Sequence, residues 1–193
     1  MEQVLLILDW ILYVLFAINV LYLLVYSLAS LRCKPDKAVS AKECKRFALL
    51  IAAYREDAVI MDTVQACLAQ NYPSNKYDVI SDHMQSSTNE KLRALPIKLL
   101  QVDFEKSTNT KSLKTALEYL GENSYNVALI IDADNIINSS YLSEVNNAFA
   151  DPKVQVVQTH RVAKNLNTDM AYLDAISEEI NNSIFRLGHV NLG

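Results

Sequence analysis

Asp132-Ala133-Asp134 follows Val127 to Ile131 (VALII), the most strand-like run in the chain. On an extended strand exit, a spacing of i, i+2 places both side chains on the same side. Two carboxylates held close together repel and hold protons more tightly unless a cation intervenes. A hard divalent ion such as Mg2+ takes one or two carboxylates and fills its remaining positions with substrate phosphates. The pair therefore suits a metal–diphosphate site. The same residues also suit a solvated turn, with Asp132, Asp134 and Asn135 capping a helix expected from residue 139. Other acids recur at comparable places: Glu56 and Asp57 in AYRED, Asp82 after YDVIS, and Asp103 after IKLLQV.

The elements that must position these acids alternate. Phe47 to Ala52 (FALLIA) is a short continuous apolar run, as in a strand buried on both faces. Residues 56–70 read as a helix with Ile60, Val64, Cys67 and Leu68 on one face, stopped at Asn71-Tyr72-Pro73. Tyr77 to Ser81 reads as a short second strand and residues 88–95 as a small helix. Ile97 to Val102 reads as a third strand and residues 109–120 as a helix with Leu113, Ala116, Leu117 and Leu120 on one face. Val127 to Ile131 is the fourth strand, and residues 139–150 the next helix, with Leu142, Val145 and Phe149 inward. Val154 to Thr159 reads as a fifth strand and residues 169–187 as one long amphipathic helix. Strand–helix alternation with short connections predicts an α/β fold, a mostly parallel sheet with helices on both faces. In such sheets ligands bind beyond the carboxyl ends of the strands, where these acids lie.

Composition narrows the chemistry. The chain has 193 residues, 51% of them hydrophobic, and only 3 glycines; average usage would supply about 13. No glycine-rich phosphate loop, GxGxxG or GxxxxGK[ST], can be written with Gly121, Gly188 and Gly193. A net charge of −4 argues against a nucleic-acid partner. Cys33, Cys44 and Cys67 show no CxxC spacing and no neighbouring histidine cluster, so neither a zinc site nor a disulfide framework is expected.

The apolar residues concentrate at the start. Val4 to Leu31 carries one charged residue, Asp9, and is longer than the roughly 20 residues that cross a hydrocarbon core. A secretory signal peptide would have a shorter apolar region behind a basic segment; here Glu2 precedes the run and the first basic residue is Arg32. The reading is an uncleaved anchor over residues 1–31. Arg32, Lys34, Lys37, Lys42, Lys45 and Arg46 follow, against Asp36 and Glu43, so residues 32–46 form a basic juxtamembrane linker. By the positive-inside rule the flank stays cytoplasmic, which predicts a single-pass protein of the inner (plasma) membrane with residues 47–193 in the cytoplasm.

From Phe47 to Gly193 the chain resembles a family 2 glycosyltransferase with the GT-A fold, of the bacterial membrane-anchored type. FALLIAAYRED resembles that family's first strand and its PAYNE-type loop. CLAQNYPSNKYDVISD resembles the segment in which a helix ends at QxYP and the next strand ends in Asp. TKSLKTAL resembles the GKAxALN element, IIDADN matches the DxD, and VQVVQTHRV resembles the strand that follows. Together and in order, these motifs imply a nucleotide-sugar-binding domain over 47–193. The resemblance implies an inverting transfer from a nucleotide-diphosphate sugar, usually UDP-linked, to a lipid-linked or polysaccharide acceptor. It further implies that Tyr54 and Glu56 contact the nucleotide, Asp82 the base, Lys111 the diphosphate and Asp132 the ribose or sugar. Asp134 would hold a divalent metal, Mg2+ or Mn2+.

The chain departs from that pattern in places. The second strand looks about two residues short, and His83-Met84 follow Asp82 where Asp-Gly-Ser is common. Asp169, Asp174, Glu178 and Glu179 are not placed as the family's catalytic base, and no QxxRW element follows. On this reading the sequence resembles a donor half cut before the acceptor half, and a sheet ending there would leave edges and apolar faces uncovered. Two alternatives are a catalytically silent, membrane-anchored nucleotide-binding fragment and a phosphatase of the haloacid-dehalogenase type. The second also uses DxD after a buried strand, but wants threonine or valine where this chain has Ile136.

Overall fold

The computed structural model describes residues 2–32, 40–73, 75–106, 108–121 and 123–192, apart from the side chains of residues 75–82. Cys33, Lys34, Asp36 and Lys37 of the basic flank lie outside the described residues. The chain divides into two compact units, Ala38–Val157 and the pairing of Met1–Lys37 with Gln158–Gly193.

In the first unit four strands form one parallel sheet: β1 (Phe47–Tyr54), β2 (Asn75–Asp82), β3 (Lys98–Val102) and β4 (Val127–Asp132), in the order β3-β2-β1-β4. Between them run α2 (Ile60–Leu68), α3 (Ser86–Arg93) and α4 (Asn109–Leu120), and α5 (Tyr141–Ala148) follows β4. The alternation of β1 explains its unbroken apolar sequence. Phe47, Leu49, Ile51 and Ala53 pack with Ile60, Val64 and Cys67 of α2, Leu92 of α3, and Leu142 and Val145 of α5. Ala48 and Leu50 face the other way, onto Ala116 of α4. A central strand covered on both faces has no polar side to show.

β4 is less covered. Leu129 and Ile131 are buried, whereas Ile130 is 62% exposed on the opposite face. The expected fifth strand is not formed: Val154–Thr159 has no regular structure and Val156 is 85% exposed. Valine-rich composition favours a strand only where a ladder partner and a buried face exist. The second strand is also corrected. It runs for eight residues and pairs with β1 from Phe47↔Asn75 to Tyr54↔Asp82, because the neighbouring strand offers hydrogen bonds beyond the apolar stretch. The helix expected from residue 56 starts at Ile60, after a turn that Arg55 enters with a left-handed φ of 56°.

The second unit contains α1 (Glu2–Ser30), α6 (Asp169–Asn181), a π-helical turn at Asn182–Leu187 and α7 (Gly188–Leu192). The expected single helix over 169–187 is thus interrupted by a wider turn. α1 is long and apolar enough to cross a membrane by length and composition, and its apolar window is unburied, unlike the core helix of a soluble protein. At 1.5 Å per residue it spans about 43 Å, against about 30 Å of hydrocarbon. Its last turns receive α7. The His189 ring stacks on Tyr26 at 3.9 Å, and Asn191 Nδ2 donates at 3.0 Å to the Ala29 carbonyl, which also accepts from the Arg32 N–H at 3.1 Å. A Cβ on Gly188 would lie 2.6 Å from the Tyr26 carbonyl oxygen, so this close approach requires glycine.

Candidate functional site

The chain steps from β1 outward to β2 and β3, then returns to the other side of β1 for β4. That reversal places the topological switch point between the carboxyl ends of β1 and β4, where exit loops part and leave a crevice. Asp132 pairs in register with Ala52, two residues before the end of β1. The exits of β1 and β4 therefore open side by side.

The β4 exit is a tight turn. Asn135 N–H donates to the Asp132 carbonyl at 3.1 Å, and Asn135 Nδ2 donates to Asp132 Oδ2 at 3.3 Å. Ala133 is buried while Asp132 and Asp134 are exposed. Three residues of the α2 region brace this loop. The Thr63 hydroxyl donates to the Ala133 carbonyl at 2.7 Å. Gln70 Nε2 donates to the Asn138 carbonyl at 2.6 Å, and its Oε1 accepts from Leu142 N–H at 3.2 Å. Asn71 N–H donates to the Ser139 carbonyl at 3.0 Å. The turn expected around Asp132 and Asn135 is present; α5 begins at Tyr141, and its N-cap is Ser140 rather than a residue of this turn.

The β1 and β2 exits are joined to each other. Tyr54 is half-exposed, with the Arg55 guanidinium 5.2 Å above its ring and the His83 ring edge-on at 5.5 Å. Glu56 is exposed; its N–H meets Met84 Sδ at 3.2 Å, and Gln85 N–H donates to Asp57 Oδ1 at 3.0 Å. His83 Nε2 pairs with Asp103 Oδ1 at 2.9 Å, which brings in the exit of β3. Arg55 and His83 both have positive φ, 56° and 52°. These are left-handed conformations that cost a side chain about 1 kcal/mol or more, and such strain concentrates at functional sites.

The structure gathers the ends of β1, β2 and β4 at one sheet edge, with Tyr54 and Asp82 in register and Asp132 beside Ala52. The side chain of Asp82 lies outside the described residues. Lys111 stands in the first turn of α4, whose N-cap Thr108 accepts from Lys111 N–H. Its ammonium donates to the Lys106 carbonyl at 2.8 Å and lies 5.9 Å from the Phe104 ring centre, beside the β3 exit. Arg55, His83 and Thr63 were not legible as site residues. Thr63 carried a sequence signal, a hydroxyl among Ile60, Val64 and Cys67 on an otherwise apolar helix face, and His83 stood where the chain departs from the family pattern after Asp82.

Among the described residues no three His, Cys, Asp or Glu side chains converge as a metal cage. Two exposed carboxylates at a strand exit fit a Mg2+- or Mn2+-sized ion whose shell is completed by substrate phosphates and water, rather than one held by protein alone.

The profile of the family described as "Glycosyltransferase like family 2" matches residues 45–187. No curated protein matches the chain by sequence. Among solved structures, the chain is similar to the mannosyltransferase PcManGT from Pyrobaculum calidifontis, determined in complex with GDP-Man and Mn2+. The two are 24% identical with a TM-score of 0.57, over 69% of this chain and 41% of that one. It is also similar to S. aureus TarS 1-349 in complex with UDP, at 19% identity and a TM-score of 0.44, over 66% of this chain and 44% of that one. The chain thus spans less than half the length of either protein.

Proposed function

Because the chain belongs to the family 2 glycosyltransferases, we propose that it binds a nucleotide-diphosphate sugar and takes part in inverting sugar transfer. The acceptor on this reading is lipid-linked or a polysaccharide. The observation that carries the proposal is the side-by-side placing of the β1 and β4 exits at the topological switch point, with Tyr54 on one exit and exposed Asp132 and Asp134 on the other.

Roles follow from position. Tyr54 offers a half-exposed ring to the nucleotide, and Glu56 borders the same exit. Asp82 accepts the imide N–H of a uracil-type base, which favours a UDP-linked donor. Asp132 hydrogen-bonds the ribose or sugar. Asp134 holds the divalent ion, Mg2+ or Mn2+, which when bound neutralises charge on the departing diphosphate. Lys111 adds a positive charge near that diphosphate, as a chain so poor in glycine cannot offer a backbone cradle. Residues 47–193 carry this domain, 32–46 the basic linker and 1–31 the anchor. The anchor keeps the domain on the cytoplasmic side of the inner (plasma) membrane, close to a membrane-bound acceptor. An intact mass of the membrane-extracted chain that includes residues 2–30 supports the anchor; its loss by proteolytic maturation overturns it.

One observation favours a second reading, donor binding without turnover. Two of the four acids of α6 are already engaged: Glu178 pairs with Arg161 and Arg186 at 3.5 and 3.3 Å, and Glu179 with His160 at 2.8 Å. Neither is assigned as the base that deprotonates an acceptor.

Isothermal titration of the full chain in detergent with UDP and Mn2+ tests the donor site. Saturable, metal-dependent binding that Asp134→Ala abolishes is expected. No binding by the wild-type chain, or equal binding by the variant, would falsify it. Sugar transfer by the same sample would remove the second reading.

A further inference from the structure

We propose that His83 is a positioning residue of the nucleobase end of the site, a role that rests on the donor-binding reading above. His83 is the first residue after β2, beside Asp82, and it holds a left-handed φ of 52° where a glycine would be free of strain. A side chain at such a position persists when its contacts over-determine it. Two are seen. The imidazole pairs through Nε2 with Asp103 Oδ1 at 2.9 Å, and its ring stands edge-on to Tyr54 at 5.5 Å and 65°. It therefore links the exits of β1, β2 and β3 through a single side chain.

The consequence is geometric. The Arg55 guanidinium lies over one face of half-exposed Tyr54, and His83 meets it edge-on. The two aromatic planes form a corner next to the strand end that carries Asp82. A flat heterocycle is recognised by a ring of fixed tilt and a carboxylate of fixed position. His83 holds the tilt of Tyr54, and Asp103 holds His83. The phosphate end of the site, Asp132 and Asp134 on the β4 exit, is braced independently by Thr63 and Gln70. The two ends of a nucleotide are thus supported by separate sets of contacts, and a change at His83 acts on one end alone.

His83→Gly tests this directly, because glycine accepts the left-handed backbone and removes only the imidazole. Titrations of the full chain in detergent, wild type and variant, use UDP with Mn2+ and inorganic pyrophosphate with Mn2+. The thermal midpoint is read alongside. The expected result is a loss of about tenfold in UDP affinity, pyrophosphate affinity within about twofold of wild type, and a midpoint unchanged or raised. A role confined to loop structure would move both ligands together. UDP affinity that survives His83→Gly, or a parallel fall for UDP and pyrophosphate, overturns the inference alone. Absence of UDP binding to the wild-type chain overturns the donor reading and this inference with it.

Discussion

The hydroxyl of Thr63 donates to the carbonyl oxygen of Ala133 over 2.7 Å, and both residues are buried. The bond joins α2 to the middle residue of Asp132-Ala133-Asp134, so the two carboxylates are held through the backbone between them. Thr63→Val keeps the shape and deletes the donor. It leaves a buried carbonyl unsatisfied, which costs about 1–3 kcal/mol. Chemical denaturation should show that loss, and titration should show weaker Mn2+-dependent UDP binding although residue 63 is not itself exposed. Stability lost with ligand affinity intact would show that the brace does not set the loop.

Lys111 is exposed, and its ammonium bonds to the Lys106 carbonyl. If it serves the diphosphate, Lys111→Ala lowers pyrophosphate and UDP affinity by about fivefold, the value of roughly 1 kcal/mol expected for a solvated charge pair. The effect should shrink as salt is raised toward 1 M. The thermal midpoint should hardly move. A salt-independent loss, or none, assigns Lys111 to the start of α4 only.

Cys67 is packed against the odd face of β1, and burial pushes its thiol from 9.0 up to about 12. The folded chain keeps this thiol neutral where the unfolded chain ionises it. The stability that Cys67 contributes is therefore full below pH 9 and falls by about 1.4 kcal/mol per pH unit above it, until the folded thiol also ionises. Cys67→Ala removes this slope at the cost of a small cavity, which urea titrations at pH 8 and pH 10 would separate. Iodoacetamide should label exposed Cys44 in the native chain and reach Cys67 only on unfolding.

Gly188 lies against the backbone of Tyr26, and no side chain fits there. Gly188→Leu should force α7 off α1 and break the stacking of His189 on Tyr26. Trypsin cleavage after Arg186, in the adjoining π-helical turn, is then expected to accelerate by at least about fivefold. Metal-dependent UDP binding should be unaffected, because the proposed site residues belong to the other unit. Unchanged cleavage kinetics would argue that α7 does not depend on this contact.

Much of the fold was legible because its signals are local. FALLIA had to be a strand covered on both faces, and the bounds 109–120 matched α4 residue for residue, although Leu117 of its apolar face is exposed. VALII marked β4, although one face of that strand is open at Ile130. Val154–Thr159 had the right composition for a strand and no partner to pair with in the described sheet. Local composition reports what a segment favours and carries no information on whether a neighbour is present.

The sequence by itself determined the order of elements from β1 to α5, the apolar first helix and the acids at four strand exits. These depend on residues within a few positions of each other, where side-chain period and burial act directly. Only the tertiary structure decided which exits share a crevice. It set β4 beside β1, stretched β2 to the length of β1, and brought His83 between Tyr54 and Asp103. It also placed Thr63 under Ala133, 70 residues along the chain. Such contacts arise from strand register and helix docking, which are settled by summed burial and pairing across the whole sheet. No spacing within a single segment encodes them.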